Sequence, residues 1–219
     1  MKSTGILFDL DGTLLDTLTD LHKSVNYVLS AHSMPERSVQ EVRSFVGNGA
    51  KKLIERAVQD GTSEQKTANV LADFLDYYGE HNSDNTMPYE GIMHLVSALK
   101  NAGYKLGVVT NKPHKDAHPL VLKHFGASFD VIIGQRDGVP AKPACDMMYI
   151  AKKELQADNV IYVGDSEVDV KFASNAEVPC VLVSWGFRTK QELVQAGATT
   201  IIDTVAALYD VLAATPITK

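Results

Sequence analysis

Apolar and polar positions along the chain change texture three times. Residues 5–9 (GILFD) form an apolar run stopped by Asp-Leu-Asp-Gly, which predicts a buried strand entering a tight loop. From residue 17 to about 82 the apolar positions fall at helical spacing: Leu21, Val25, Val28 and Leu29, then Leu53, Ile54 and Ala57, then Val70, Leu71, Phe74 and Leu75. That segment predicts a bundle of helices without strands. After Met87-Pro88 the pattern alternates. Strands are expected at 105–110, 129–133, 160–164, 179–184 and 200–202. Helices are expected at 91–102, near 115–125, at 146–155, at 167–175, near Gln191, and in a last stretch ending about Ala213. Pro119 inside the helix near 115–125 implies a kink or a late start.

Strands alternating with helices of this length imply a parallel sheet covered on both faces. The expected fold class is therefore α/β, a doubly wound parallel-sheet core interrupted after its first strand by an all-helical insertion. The core takes residues 1–15 and 84–219 and the insertion 16–83. No repeat or low-complexity segment is present, and the tail after Ala214 is expected to fray.

Composition narrows the function. With 45% hydrophobic and 22% charged residues the chain lies in the ordinary globular range. A formal charge of −6, with scattered Lys and Arg, argues against a nucleic-acid partner, which needs clustered cations to displace counterions. Residues 1–5 lack a basic leader with a long apolar run, and no stretch approaches the ~18 apolar residues of a membrane span. The expectation is a cytoplasmic protein, a monomer or homodimer, with Cys145 and Cys180 reduced.

In an open α/β sheet ligands bind beyond the carboxyl ends of the strands, and four segments there carry chemistry. Asp9 and Asp11 are two apart in an extended segment, which brings both carboxylates to one side, and Gly12 permits a sharp turn behind them. Two like charges at that range need a cation or a shared proton; the competing reading is an Asp pair capping the next helix. Thr110, Asn111 and Lys112 end a strand with a hydroxyl and successive amides suited to phosphate oxygens, or else form a plain turn. Lys142 stands beside Pro143 in a loop, where alone it reads as a surface lysine. Asp165 ends a strand and Asp169 follows one helical turn later on the same face, a spacing that suits a hard divalent cation or a simple helix cap.

The ordered set DLDGT, VVTNK, KP and GDSEVD resembles the haloacid dehalogenase superfamily of aspartate-nucleophile phosphatases, over essentially the whole chain. The resemblance implies that the helical insertion is a cap. Val46-Gly47-Asn48-Gly49, Thr110-Asn111-Lys112-Pro113 and Ser184-Trp185-Gly186-Phe187 are most similar to phosphoglycolate phosphatases. On that resemblance Asp9 is the nucleophile and Asp11 the general acid and base. Mg²⁺ would sit on Asp9, the main-chain carbonyl of Asp11 and Asp165, with Asp169 behind them. Thr110, Asn111 and Lys142 would hold the phosphoryl group of a small-molecule phosphate ester. The Gly47-Asn48-Gly49 loop interrupts a helical stretch and, with Lys51, is the cap segment expected to meet an anionic leaving group such as that of 2-phosphoglycolate; the competing reading is a plain helix-helix turn. Similar phosphatases often carry a second proline where this chain has Ala144-Cys145, which implies a less rigid loop around Lys142.

Two rival functions share parts of this chemistry. A phosphomutase of the same superfamily would use Asp9 and Asp11 as well. A receiver-type phospho-acceptor module also combines acids, Thr and Lys, but as one compact domain with its acceptor on a later strand. His114 and His118 are four apart without an acidic third ligand, and Trp185 is a lone aromatic at a strand end; both are read as packing or surface rather than site.

Overall fold

The apolar run that opens the chain folds as β1 (Thr4–Phe8), with Ile6, Leu7 and Phe8 wholly buried. The structure, a computed structural model, describes residues 4–214; the first three residues and the tail beyond Ala214 lie outside the described residues. After β1 come β2 (Leu15–Asp16), α1 (Leu18–Ala31), α2 (Val39–Phe45), α3 (Gly49–Ala57), α4 (Glu64–His81) and β3 (Met87–Pro88). The alternating part follows as α5 (Ile92–Asn101), β4 (Lys105–Pro113), α6 (His114–Phe125), β5 (Val131–Gln135), α7 (Asp146–Glu154) and β6 (Asn159–Gly164). It ends with α8 (Glu167–Asn175), β7 (Cys180–Val183), α9 (Lys190–Gln195), β8 (Ile201–Ile202) and α10 (Val205–Ala213).

Six strands form one parallel sheet in the order β5-β4-β1-β6-β7-β8. The chain builds outward from β1 first on one side and then on the other, so the crevice of a doubly wound sheet opens at the end of β1. Alternation along the strands feeds two apolar layers. Ile6, Phe8, Val108 and Val163 pack with Leu99, Leu208 and Leu212 on one face. Leu7, Val109 and Tyr162 pack with Met147, Met148 and Phe172 on the other. Phe8 pairs in register with Val108 and with Val163, which sets the ends of β1, β4 and β6 level.

The helical insertion has its own apolar interior, built from Val25, Val28, Ile54, Val70 and Phe74, and it receives Phe187 from beyond β7. A capping box between Ser38 and Glu41 opens α2 and Ser63 caps α4, whereas α1 and α3 begin without a side-chain cap. The root of the insertion contains a feature with no counterpart in the sequence pattern. β2 pairs antiparallel with β3, Leu15 opposite Pro88 and Asp16 opposite Met87, a ribbon too short to show alternation. Beside it the buried Asp20 carboxylate accepts hydrogen bonds from the backbone amides and side chains of Asn85 and Thr86, at 2.7–3.1 Å.

Two expectations in the core are corrected. The strand expected at 129–133 is displaced to Val131–Gln135, because Phe129 turns into the core against Phe8 and Phe125 and Asp130 spends its carboxylate on the Leu106 amide. α6 does not start late: it begins at His114 and runs through Pro119, whose missing N–H is offset by the burial of Ala117, Leu120, Val121 and Phe125. Among the described residues no helix is long and apolar enough to cross a membrane, and both cysteines are free.

Candidate active site

Asp9 leaves β1 with its amide still bonded to the Val163 carbonyl at 2.8 Å, so its backbone remains part of the sheet. Its Oδ1 accepts from the Leu10 amide at 2.7 Å and its Oδ2 lies 2.8 Å from Lys142 Nζ. Asp165 leaves β6 alongside. Its carboxylate accepts from Thr13 Oγ1 at 3.2 Å and from the Phe187 amide at 2.7 Å. Gly12 and Gly186 make room for that carboxylate: a Cβ at either position would lie 2.4 Å from Asp165 Oδ2, and Gly12 also adopts φ +83°. Asp169, one turn along α8, is fully spent on structure. Its Oδ1 accepts from Lys142 and Tyr162, and its Oδ2 from the Asp165 amide and from the Ser166 amide and hydroxyl, all within 3.2 Å.

Burial dominates the electrostatics of this floor. It pushes the Asp9 carboxyl up to about 7 against the pull of Lys142, and carries Asp165 well above the carboxylate range with help from Asp169 and Asp9. Asp169 goes the other way, because Lys142, Ser166 and Tyr162 outweigh its burial and hold it low. Burial opposes the charge of Lys142 too, yet Asp169 and Asp9 outweigh it and keep the ammonium charged. Oxygens of Asp9, Asp165 and Asp169 lie within 4.8 Å of one another. Such an all-carboxylate set, with Asp9 and Asp165 raised by burial, fits a hard divalent cation, whose charge would reverse both shifts.

Around this floor the predicted residues separate into two groups. Asp9, Asp11, Thr110, Asn111, Asp165, Gly47 and Gly49 all line one cavity of ≈ 60 Å³ between sheet and cap. The Asn111 side chain ties three parts together: it donates to the carbonyls of Gly47 and Lys142 at 3.1 Å and accepts from the Lys142 amide at 2.8 Å. With Asn175 holding the Pro143 carbonyl, the loop before Ala144-Cys145 is pinned at both ends, contrary to the expected looseness. Lys142 itself is off the cavity wall. Its ammonium is spent on Asp9, Asp169 and Tyr162, so it touches the cavity lining only through Asp9.

Three placements depart from expectation. The Asp11 carboxylate does not cluster with Asp9 but turns to Lys112, 3.3 Å away. Asn48 points outward to Arg56. Lys51 faces an outer hollow with its side chain 78% exposed and pairs with Glu55, because on α3 it belongs to the polar stripe with Lys52 and Glu55 while Ala50 and Leu53 turn inward.

Other residues at this site went unassigned in the sequence. Lys112 is buried on the cavity wall, donating to Tyr78 of α4 at 2.7 Å as well as to Asp11. The spacing rule that drew attention to Asp9 and Asp11 applies equally to Thr110 and Lys112. Arg43 of the cap donates to the carbonyls of Gly186 and Phe187 at 2.8 Å, while Arg188 of the core donates to those of Arg43 and Val46. No local pattern marks that reciprocal clasp.

A family model for haloacid dehalogenase-like hydrolases matches residues 6–183. The chain belongs to that family. It is 31% identical over 212 residues to phosphoglycolate phosphatase 1 of Pseudomonas aeruginosa, covering 93% of this chain and 77% of that one. It is 32% identical to the N-acetylmuramic acid 6-phosphate phosphatase of the same organism, covering 97% and 96%. A Lactobacillus delbrueckii subsp. bulgaricus structure provisionally called a phosphoglycolate phosphatase superposes with a TM-score of 0.91 at 32% identity, covering 97% and 99%. Fold and relatives together make this protein a phosphatase with a helical cap. Phosphatases of this family generally use a divalent metal, and the buried acids at the ends of β1 and β6 suit one.

Proposed function

We propose that this phosphatase hydrolyses a small anionic phosphate monoester, 2-phosphoglycolate fitting best, through an aspartyl-phosphate on Asp9 with Mg²⁺ as its metal. In the same reading residues 16–83 are the cap and 1–15 with 84–219 the catalytic core. The observation that carries it is the Asp9, Asp165 and Lys142 floor beneath the cavity between sheet and cap.

A phosphate dianion is repelled by carboxylates, so positive charge has to be supplied beside them. Asp9, Asp165 and the main-chain carbonyl of Asp11 would hold Mg²⁺, whose charge would offset part of that repulsion. Lys142 supplies positive charge as well, kept charged and aimed by Asp169. Asp9 attacks phosphorus in line as the ester bond to the leaving oxygen breaks. Asp11 gives that oxygen a proton and later takes one from the water that hydrolyses the aspartyl-phosphate. Thr110 and the Asn111 amide hold the equatorial oxygens while charge redistributes.

Both substrates named for the relatives are phosphorylated carboxylic acids, so an anion beside the ester suits either; the phosphoglycolate phosphatases among the relatives and the similar structures favour the smaller one. Phosphate release from 2-phosphoglycolate, glucose 6-phosphate and p-nitrophenyl phosphate tests the reading. The first should lead in kcat/KM by about tenfold or more, a ratio worth about 1.4 kcal/mol of transition-state binding. Chelation should stop turnover, with Mg²⁺ but not Ca²⁺ restoring it, since Ca²⁺ recruits extra and bidentate ligands. A tenfold lead for the hexose phosphate sinks the substrate assignment, and undiminished rates after chelation sink the metal.

A further inference from the structure

The cavity wall opposite the acid floor carries a pair of donors with protons to spare. Lys112 comes from β4 in the core and Tyr78 from α4 in the cap, and both line the cavity. The Lys112 ammonium is buried, 3.3 Å from Asp11 Oδ1 and 2.7 Å from the Tyr78 hydroxyl, and 4.3 Å from the centre of the Tyr78 ring. An ammonium has three protons, and two are accounted for. Tyr78 accepts from Lys112 through its oxygen, and its own proton meets no acceptor among the described residues. Two donors, one of them cationic, thus remain unspent in a buried site where an unmet donor is costly.

Their position specifies what they would meet. Asp11 is the group proposed to protonate the leaving oxygen, so a cation 3.3 Å from its carboxylate stands one or two bonds further along the leaving group. The other cation on this wall, Arg188, is committed to Glu167 and to two cap carbonyls. Gly49 and Ala50 line the cavity nearby at the start of α3, which has no side-chain cap on its amides. Asp116 is the one acid on this side besides Asp11, and burial raises its carboxyl toward the neutral form. Burial also keeps the Tyr78 hydroxyl protonated, and although it opposes the charge of Lys112, Asp11 and Tyr78 outweigh it.

The geometry points to Lys112 and Tyr78 as the specificity pair of this phosphatase, together binding a carboxylate carried one carbon from the ester oxygen. This rests on the small-anion reading of the site and names the groups that enforce it. A carboxylate set against the pair receives the remaining N–H of Lys112 and the O–H of Tyr78, while a neutral alkyl leaving group leaves both buried donors unmet. Because one donor belongs to the core and the other to the cap, the pair is complete only when the cap sits down on the sheet.

The test compares 2-phosphoglycolate with ethyl phosphate, which replaces the carboxylate by a methyl group, on wild type, Lys112→Met and Tyr78→Phe. Wild type should favour 2-phosphoglycolate strongly. Lys112→Met should cut that preference about 100-fold and Tyr78→Phe about tenfold, the ordinary scale for charged and neutral hydrogen bonds. Inhibition by glycolate should weaken in parallel, while inhibition by inorganic phosphate stays level. Should both variants lose rate equally on the two substrates, with glycolate inhibition intact, Lys112 serves only to position Asp11 and the inference falls. Tyr78→Phe removes a single oxygen, so it answers the question even where Lys112→Met folds poorly. A wild type with no preference between the two esters overturns the small-anion reading itself, which separates that failure from a failure of the pair.

Discussion

The acid floor and the seam under the cap are built on opposite principles. The floor hangs from the ends of β1 and β6, whose register is fixed by a buried parallel sheet, and every oxygen of Asp169 is spent holding its neighbours. The seam is made by residues far apart in the chain. Arg43 reaches two core carbonyls, Arg188 reaches two cap carbonyls, and the Phe187 ring is buried among cap residues. Phe187 belongs to both, since its amide donates to Asp165 at 2.7 Å. A rigid, preorganised floor suits charge development, whereas a seam of arginine-to-carbonyl contacts can part without unfolding either side. The comparison teaches that chemistry and access are separable here, and that Phe187, with its amide on the floor and its ring in the cap, is one of the places where they are joined.

The largest effect expected from breaking the comparison lies in the floor. Asp9→Asn should remove turnover altogether, because an amide cannot form the aspartyl-phosphate, while the thermal midpoint stays near that of wild type. Asp11→Asn should slow phosphate release by roughly 10² to 10⁴, the usual worth of general acid and base help. Near-normal phosphate release from Asp9→Asn would remove the nucleophile assignment.

Next comes the joint. Phe187→Ala should cost about 3–5 kcal/mol of stability, the range for a buried aromatic, measured by denaturant unfolding. A structural loss alone would scale all substrates together. Loosening of the cap should instead raise KM more than it lowers kcat, and should shift relative kcat/KM toward p-nitrophenyl phosphate. An unchanged substrate ratio in this variant would show that the seam does not govern access.

How far the sequence reached follows the same division. The strand-end positions of Asp9, Thr110 and Asp165 were legible because each follows an apolar strand, and strand periodicity survives any tertiary detail, whereas Lys142 alone read as a surface lysine and was singled out only through the family resemblance. The fold class was legible from the same periodicity. Lys51 was misplaced because a charge near two glycines was weighed without the helix rotation that turns Lys51, Lys52 and Glu55 outward together. Tyr78 and Phe187 carried no local signal, since an aromatic in a helix or at a strand end is ordinarily packing. Their roles exist only through contacts of 34 residues in sequence for Tyr78 with Lys112 and 22 for Phe187 with Asp165.

The smallest effect belongs to the root of the cap, and pH isolates it. Asp20 is buried, yet the bonds from Asn85 and Thr86 outweigh that burial and hold its carboxyl below the ordinary 3.8. A carboxyl whose pKa is lowered by folding stabilises the protein fully above its unfolded value, and that contribution disappears as pH falls through the lower folded value. Asp20→Asn, which keeps the shape but sets an N–H against the donors it faced, should therefore cost about 2 kcal/mol at neutral pH. The gap in thermal midpoint between wild type and variant should hold constant above about pH 5 and shrink below about pH 4, as the wild-type carboxyl takes up its proton. Activity at neutral pH should change little compared with the floor variants, because Asp20 fastens the root and touches no reacting group. If the gap in midpoint persists undiminished into strong acid, the bonds at Asn85 and Thr86 are not what binds the cap's first helix to the returning chain.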